Sequence, residues 1–154
     1  MITIADILLP RHVILEFPHR NKPGEISNAL EESLRGDERI RSWAGFQESL
    51  KTGRPAYIYE PEFGIAIPHT RTNHVSNMII AAGRVREGVQ FPDAEAPVHY
   101  IFLVGVPTTM ASDYLRIIGA LTRTFRSPEY EKALRNAPTP QEFIRILSEN
   151  ENPL

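Results

Sequence analysis

The chain has 154 residues, 42% of them apolar, with 17 basic and 19 acidic side chains and a formal net charge of -2. That length suffices for one domain, residues 1–154, with a proper core, and the composition excludes a disordered chain. The near balance of charge speaks against a nucleic-acid surface or a polybasic membrane anchor, and the absence of cysteine excludes disulfides, thiol chemistry and zinc thiolate sites.

The opening MITIADILLP is interrupted by Asp6 and ends in Pro10, with Arg11 next. It reads as a short helix or edge element and not as a signal peptide. No stretch has the apolar length needed to span a bilayer, so a cytoplasmic home is expected. Val13 to Phe17 is short, apolar and β-branched and predicts a strand. Ile26, Ala29, Leu30 and Leu34 recur at helical spacing, predicting a helix from Pro23 to Leu34 with the proline in its first turn. RGDE is a turn. Ile40, Trp43, Ala44, Gln47 and Leu50 form a second helical face, stopped by Gly53 and Pro55.

Tyr57 to Glu60 and Gly64 to Ile67 predict two extended segments around Pro61. After His69 the chain is expected to turn, and Met78 to Val85 to form a strand. Past a loop around Phe91 and Pro92, VHYIFLVGV (Val98 to Val106) is nearly continuous in apolar character. That predicts a central strand covered on both faces. The last third changes period. Leu115, Ile118, Leu121, Thr122 and Phe125 mark a helix from Ser112 to Arg126, with Arg116, Arg123 and Arg126 on its solvated face. Ser127 and Pro128 open a short helix through Arg135. Thr139 caps another, with Glu142 as the reciprocal partner and Phe143, Ile144 and Leu147 inward. The fold class expected is α/β: one mixed β-sheet with helices on both faces and a helical C-terminal third.

One segment carries chemistry. GIAIPHTR, from Gly64 to Arg71, runs a small apolar stretch into Pro68 and then His69. Pro68 fixes its own φ, pushes Ile67 towards extended geometry and removes a backbone donor. His69 is therefore delivered from a stiff stem. If the chain stays extended, His69 and Arg71 point to the same side. One ring nitrogen can attack phosphorus while the other donates to a backbone carbonyl, which fixes the tautomer. Arg71 can hold phosphoryl oxygens in a bidentate grip. The bland alternative is a surface or half-buried histidine with no chemical role. His69 and His74 have neither an HExxH pattern nor a nearby acidic partner, so no metal is expected. His12, His19 and His99 read as structural or surface groups, and Trp43 as core or a helix–sheet contact.

GIAIPHTR resembles the hallmark of the type-2 EIIA domains of the bacterial phosphoenolpyruvate:sugar phosphotransferase system, in its fructose/mannitol and nitrogen-regulatory branch. The similarity extends over nearly the whole chain, from the opening helix and the Lys22-centred helix entry to Val106-Pro107 and APTPQEFIRIL. It implies that His69 is the phosphorylated residue and that no cofactor is needed. It implies as partners an HPr-like phosphocarrier protein, and an EIIB domain or a regulatory target protein. It also implies a mixed sheet with helices on both faces.

Three positions depart from the family pattern. A second histidine is usual at the start of the helix after the Val-Pro loop, where Tyr114 or a close neighbour stands here. The tyrosine hydroxyl can donate to phosphate but, with a reference pKa of about 10, exchanges protons poorly near neutrality. The Arg-Glu pair usual before the hallmark falls on Gly53-Arg54 by ungapped counting, or on Gln47-Glu48 with an insertion. The usual glycine-rich approach is replaced by YEPEF. Two functional readings follow: a phosphotransfer domain working through His69, Arg71 and Tyr114, or an EIIA-like regulatory binding module that does not transfer.

Overall fold

Val98–Val106 is buried at every position but His99. A strand achieves that only with neighbours along both edges and helices over both faces. The computed structural model, which describes residues 1–18, 22–60, 63–149 and 151, shows this arrangement. Its helices are α1 (Ile4–Ile7), α2 (Pro23–Ser33), α3 (Trp43–Thr52), α4 (Ala111–Arg126), α5 (Pro128–Asn136) and α6 (Pro140–Glu149). Its strands are β1 (Val13–Ile14), β2 (Ala56–Glu60), β3 (Phe63–Ile67), β4 (His69–Arg71), β5 (Ile79–Val89) and β6 (Val98–Val106). They form one sheet in the order β1-β5-β6-β3-β2, with β4 also on β6. The β1–β5, β3–β6 and β4–β6 pairs are parallel, and β5–β6 and β2–β3 antiparallel. The mixed α/β class with a helical C-terminal third is thus as expected.

Alternation along the two central strands divides the core. Ile80, Ala82, Phe102 and Val104 face α1, α4, α5 and α6, where Ile4, Ile117, Phe125, Leu134, Phe143 and Leu147 meet them. Ile79, Ala81, Ile101 and Leu103 face α2 and α3, against Ile26, Leu30, Leu34 and Phe46. Each buried Val, Leu, Ile or Phe among them contributes roughly 1.5–3 kcal/mol by leaving water.

Several boundaries differ from the sequence expectations. β1 covers only two residues of the Val13 to Phe17 run. Ile40 lies outside the second helix and makes an isolated bridge with Val75. That helix starts at Trp43 because Ser42 caps it, its side chain accepting from the Gly45 N–H at 3.1 Å. The RGDE turn holds Gly36 at φ 84°, a conformation glycine adopts without strain. β5 runs on to Val89. Thr139 does accept from the Glu142 N–H at 3.2 Å, but the Glu142 carboxylate turns to Arg145 and not back to the cap. The supposedly solvated arginines are not free: Arg116 donates to the Ile2 carbonyl and Arg123 to that of Glu151. Pro61 and His19 lie outside the described residues.

The largest difference concerns α4. Its buried residues are Ile117, Ala120, Leu121, Thr124 and Phe125. Leu115, expected inward, is 69% exposed. No helix of the described residues is long and apolar enough to cross a membrane.

Candidate functional site

The chain stays extended through Arg71 and makes the expected turn only at Asn73 and His74. β3, Pro68 and β4 lie in succession along one edge of β6, with Ala66 opposite Ile101 and His69 opposite Val104. At the interruption, the Pro68 carbonyl accepts from the Val104 N–H at 2.9 Å. The proline that lacks a donor therefore still takes part in the sheet. This holds His69 to the most buried strand of the protein.

The imidazole is half-buried, and its Nδ1 lies 2.8 Å from the carbonyl oxygen of Ile67. A carbonyl only accepts, so Nδ1 carries the proton and Nε2 keeps its lone pair. Tyr114 covers the ring, with centroids 5.5 Å apart and planes inclined by 30°. Tyr114 sits in the first turn of α4, where its N–H donates to the Met110 carbonyl at 3.0 Å. Burial pushes its hydroxyl above the ordinary tyrosine range, so it remains a protonated donor. The loops that set this pairing are themselves tied together. Thr72 N–H donates to the Val106 carbonyl at 2.8 Å, and the Thr108 hydroxyl to Asn73 Oδ1 at 2.8 Å.

Arg71, two residues along β4, is exposed and makes no hydrogen bond or ion pair among the described residues. Thr70, between them, is buried, the alternation of a strand. The structure thus brings His69 and Tyr114 together and leaves Arg71 on the solvent side of the same short strand.

On its other flank His69 opens into a groove of about 210 Å³, with Leu50, Lys51, Gly53, Pro68 and Leu103 among its walls. Lys51, in the last turn of α3, brings a cation that local sequence did not single out. Gly53 is pressed so close that a Cβ there would lie 2.9 Å from the His69 carbonyl oxygen. Of the two counted positions for an Arg-Glu pair, Gly53 is this spacer and Arg54 is exposed. Gln47 is engaged with Glu31, its Nε2 donating to Oε1 at 2.8 Å. Neither pair places an arginine and a glutamate in the groove.

His74 is exposed, and its ring lies against Gly45. Among the described residues no group of three or more histidine or acidic side chains is arranged to hold a metal.

The family model for the phosphoenolpyruvate-dependent sugar phosphotransferase system, EIIA 2, matches residues 25–150. The chain belongs to this EIIA family. The fructose-specific EIIA component of Haloferax volcanii is 35% identical over 89 residues, 56% of this chain and 57% of that protein. The match spans 14% and 17% of two longer curated relatives. The nitrogen regulatory protein IIA-Ntr of Neisseria meningitidis has a similar crystal structure, with TM-score 0.78 and 27% identity over 94% of this chain and 98% of that one. The same fold occurs in the mannitol IIA of Escherichia coli, studied in complex with phosphorylated IIB, with TM-score 0.68 and 16% identity, covering 93% of this chain and 99% of that one. In this EIIA chain the Pro68-His69 stem carries a histidine on which Tyr114 is stacked.

Proposed function

We propose that this EIIA domain, one unit over residues 1–154 and working in the cytoplasm, accepts a phosphoryl group on Nε2 of His69. The donor is the phosphohistidine of a small HPr-like carrier protein. The group then passes to an EIIB domain, or its presence on His69 serves as a signal to a target protein. The observation that carries this reading is the Nδ1 contact with the Ile67 carbonyl, which presents Nε2 as the nucleophile.

The step balances in charge and protons. In a donor phosphoimidazole whose other nitrogen is protonated, the P–N bond breaks and its electron pair stays with the nitrogen that carried phosphorus, so the donor ring becomes neutral. The Nε2 lone pair of His69 forms the new N–P bond. The positive charge now sits on the His69 ring, with Nδ1–H donating to the Ile67 carbonyl. No proton needs to leave during the transfer. What the protein supplies is position and charge: the Tyr114 hydroxyl as a donor, and Arg71 and Lys51 as cations for the phosphoryl oxygens. Leu115, exposed one residue from Tyr114, offers an apolar contact to a docking partner.

The regulatory reading, a module that binds a partner without transferring, rests on the tyrosine standing where the family usually has a second histidine. Incubation with phosphoenolpyruvate, Enzyme I and HPr, read by intact mass at mildly alkaline pH, separates the two. Gain of one phosphoryl mass, absent in His69→Gln, supports transfer. No gain with carriers from several lineages supports the binding module.

A further inference from the structure

The stack of Tyr114 on His69 bears on where the phosphoryl group rests, as well as on how fast it arrives. Before transfer the imidazole is neutral, with its proton on Nδ1, 2.8 Å from the Ile67 carbonyl oxygen. With phosphorus on Nε2 and the proton still on Nδ1, both ring nitrogens are substituted and the ring is positively charged. Phosphorylation therefore puts a cation where a neutral ring stood.

The ring is half-buried, and burial opposes the charged form. Arg71 along the strand and Lys51 in the groove, both exposed, attract the phosphoryl oxygens but oppose charge on the ring itself. Two groups compensate. The Ile67 carbonyl accepts from Nδ1–H, a bond that strengthens when its donor is charged. The second is the aromatic ring of Tyr114, whose centroid lies 5.5 Å from that of the imidazole, the planes stacked at 30°. The face of an aromatic ring carries negative charge and attracts a cation within about 6 Å of its centroid, an attraction that a neutral ring does not share. Tyr114 is itself partly buried against the core, which limits the water that would weaken the attraction. An aliphatic side chain of similar size would fill the same space without favouring the charged ring.

Transfer exchanges one N–P bond for another. The electron pair of the broken bond returns to the carrier's nitrogen, the Nε2 pair enters the new bond, and no proton is released. Bond chemistry nearly cancels, so the surroundings of the two rings set the equilibrium.

We propose that the face of Tyr114 holds the charged phosphohistidine, so that exchange with the carrier lies further towards this chain than an aliphatic side chain at position 114 would allow. The consequence is regulatory: His69 stays phosphorylated when the carrier is only partly so, and its phosphorylated state persists as a signal. This rests on phosphoryl transfer to Nε2 of His69.

The exchange equilibrium tests it. Phosphorylated HPr and the full chain are mixed without phosphoenolpyruvate and followed by intact mass at mildly alkaline pH until their ratio is constant. Position 114 is varied in a background that lacks the hydroxyl: Tyr114→Phe, then mono-, di- and trifluorophenylalanine in its place, and Tyr114→Leu. Fluorination keeps the shape of the ring and drains its face of negative charge step by step. The equilibrium constant should fall at each step, and by about three- to tenfold from phenylalanine to leucine. A role in packing alone would leave the fluorinated series level. Phosphorylation of His69 with an equilibrium constant indifferent to fluorination, or equal for leucine and phenylalanine, overturns this inference alone. No phosphoryl group on His69 of the parent overturns it together with the transfer reading.

Discussion

Tyr114 covers His69 ring on ring, with centroids 5.5 Å apart. The stack limits how the imidazole can tilt, and the Ile67 carbonyl holds its Nδ1 edge at 2.8 Å. Two restraints from different elements therefore aim one nitrogen. Replacing Tyr114 separates its two contributions. Tyr114→Phe keeps the stack and removes the donor; phosphoryl transfer to His69 is expected to slow about tenfold, as for loss of one hydrogen bond to a charged group. Tyr114→Ala also frees the ring and should slow transfer further. Rapid-quench measurement of phosphoprotein formation checks both, and equal rates for Tyr114→Phe and the parent would remove the hydroxyl from the mechanism.

Gly53 should act through His69 without touching the phosphoryl group. A methyl there meets the His69 carbonyl oxygen at 2.9 Å, so either α3 or β4 must shift. Gly53→Ala is expected to cost about 1–3 kcal/mol of stability by overpacking. It should lower the transfer rate at saturating carrier while leaving the carrier concentration for half-maximal rate little changed. A loss confined to stability would mean that the displacement is absorbed by α3.

Leu115 tests docking. Because it is 69% exposed, Leu115→Asp should change unfolding free energy by no more than about 0.5 kcal/mol. The carrier concentration for half-maximal rate should rise several-fold, as for loss of an apolar anchor. An unchanged concentration dependence would place the docking surface elsewhere.

The pH dependence of stability should carry the mark of His12. This histidine is 1% exposed, and burial lowers its pKa from 6.5 to about 4 despite the nearby Asp37 carboxylate. The unfolded chain therefore takes up a proton at higher pH than the folded one. Stability is unaffected by this group above pH 6.5 and falls as pH drops from about 6.5 towards 4, by roughly 2–3 kcal/mol over that window. Asp37, held well below the usual carboxylate range by Arg39, adds its own loss only below about pH 4. Thermal melts of the parent and of His12→Gln across pH 4–7 check this; the variant should lose most of the slope.

What was legible beforehand follows the range of the interactions. The stem into His69 was readable because Pro68 restricts Ile67 locally. The central place of β6 was readable because nine consecutive residues lack a solvated face. β4 was not, since a three-residue strand exists only through its pairing with Val104 to Val106, which adjacent residues do not encode. The face of α4 was legible at Leu121 and Phe125, which are buried, and misjudged at its start, where Leu115 is exposed and packing against the sheet takes Ile117, Ala120 and Thr124 inward instead. Lys51 was missed for the same kind of reason. It reaches the groove of His69 only because Gly53 lets the end of α3 close onto the His69 backbone.

The most direct test of the account is which nitrogen of which histidine bears phosphate. Histidine-labelled protein, phosphorylated through Enzyme I and HPr, would be read by ¹H–¹⁵N long-range correlation spectra of the five imidazoles. Phosphorus bonded to Nε2 of His69, with Nδ1 still protonated towards Ile67, is the result expected. Phosphate on Nδ1 of His69, on another histidine, or on none would contradict the central claim.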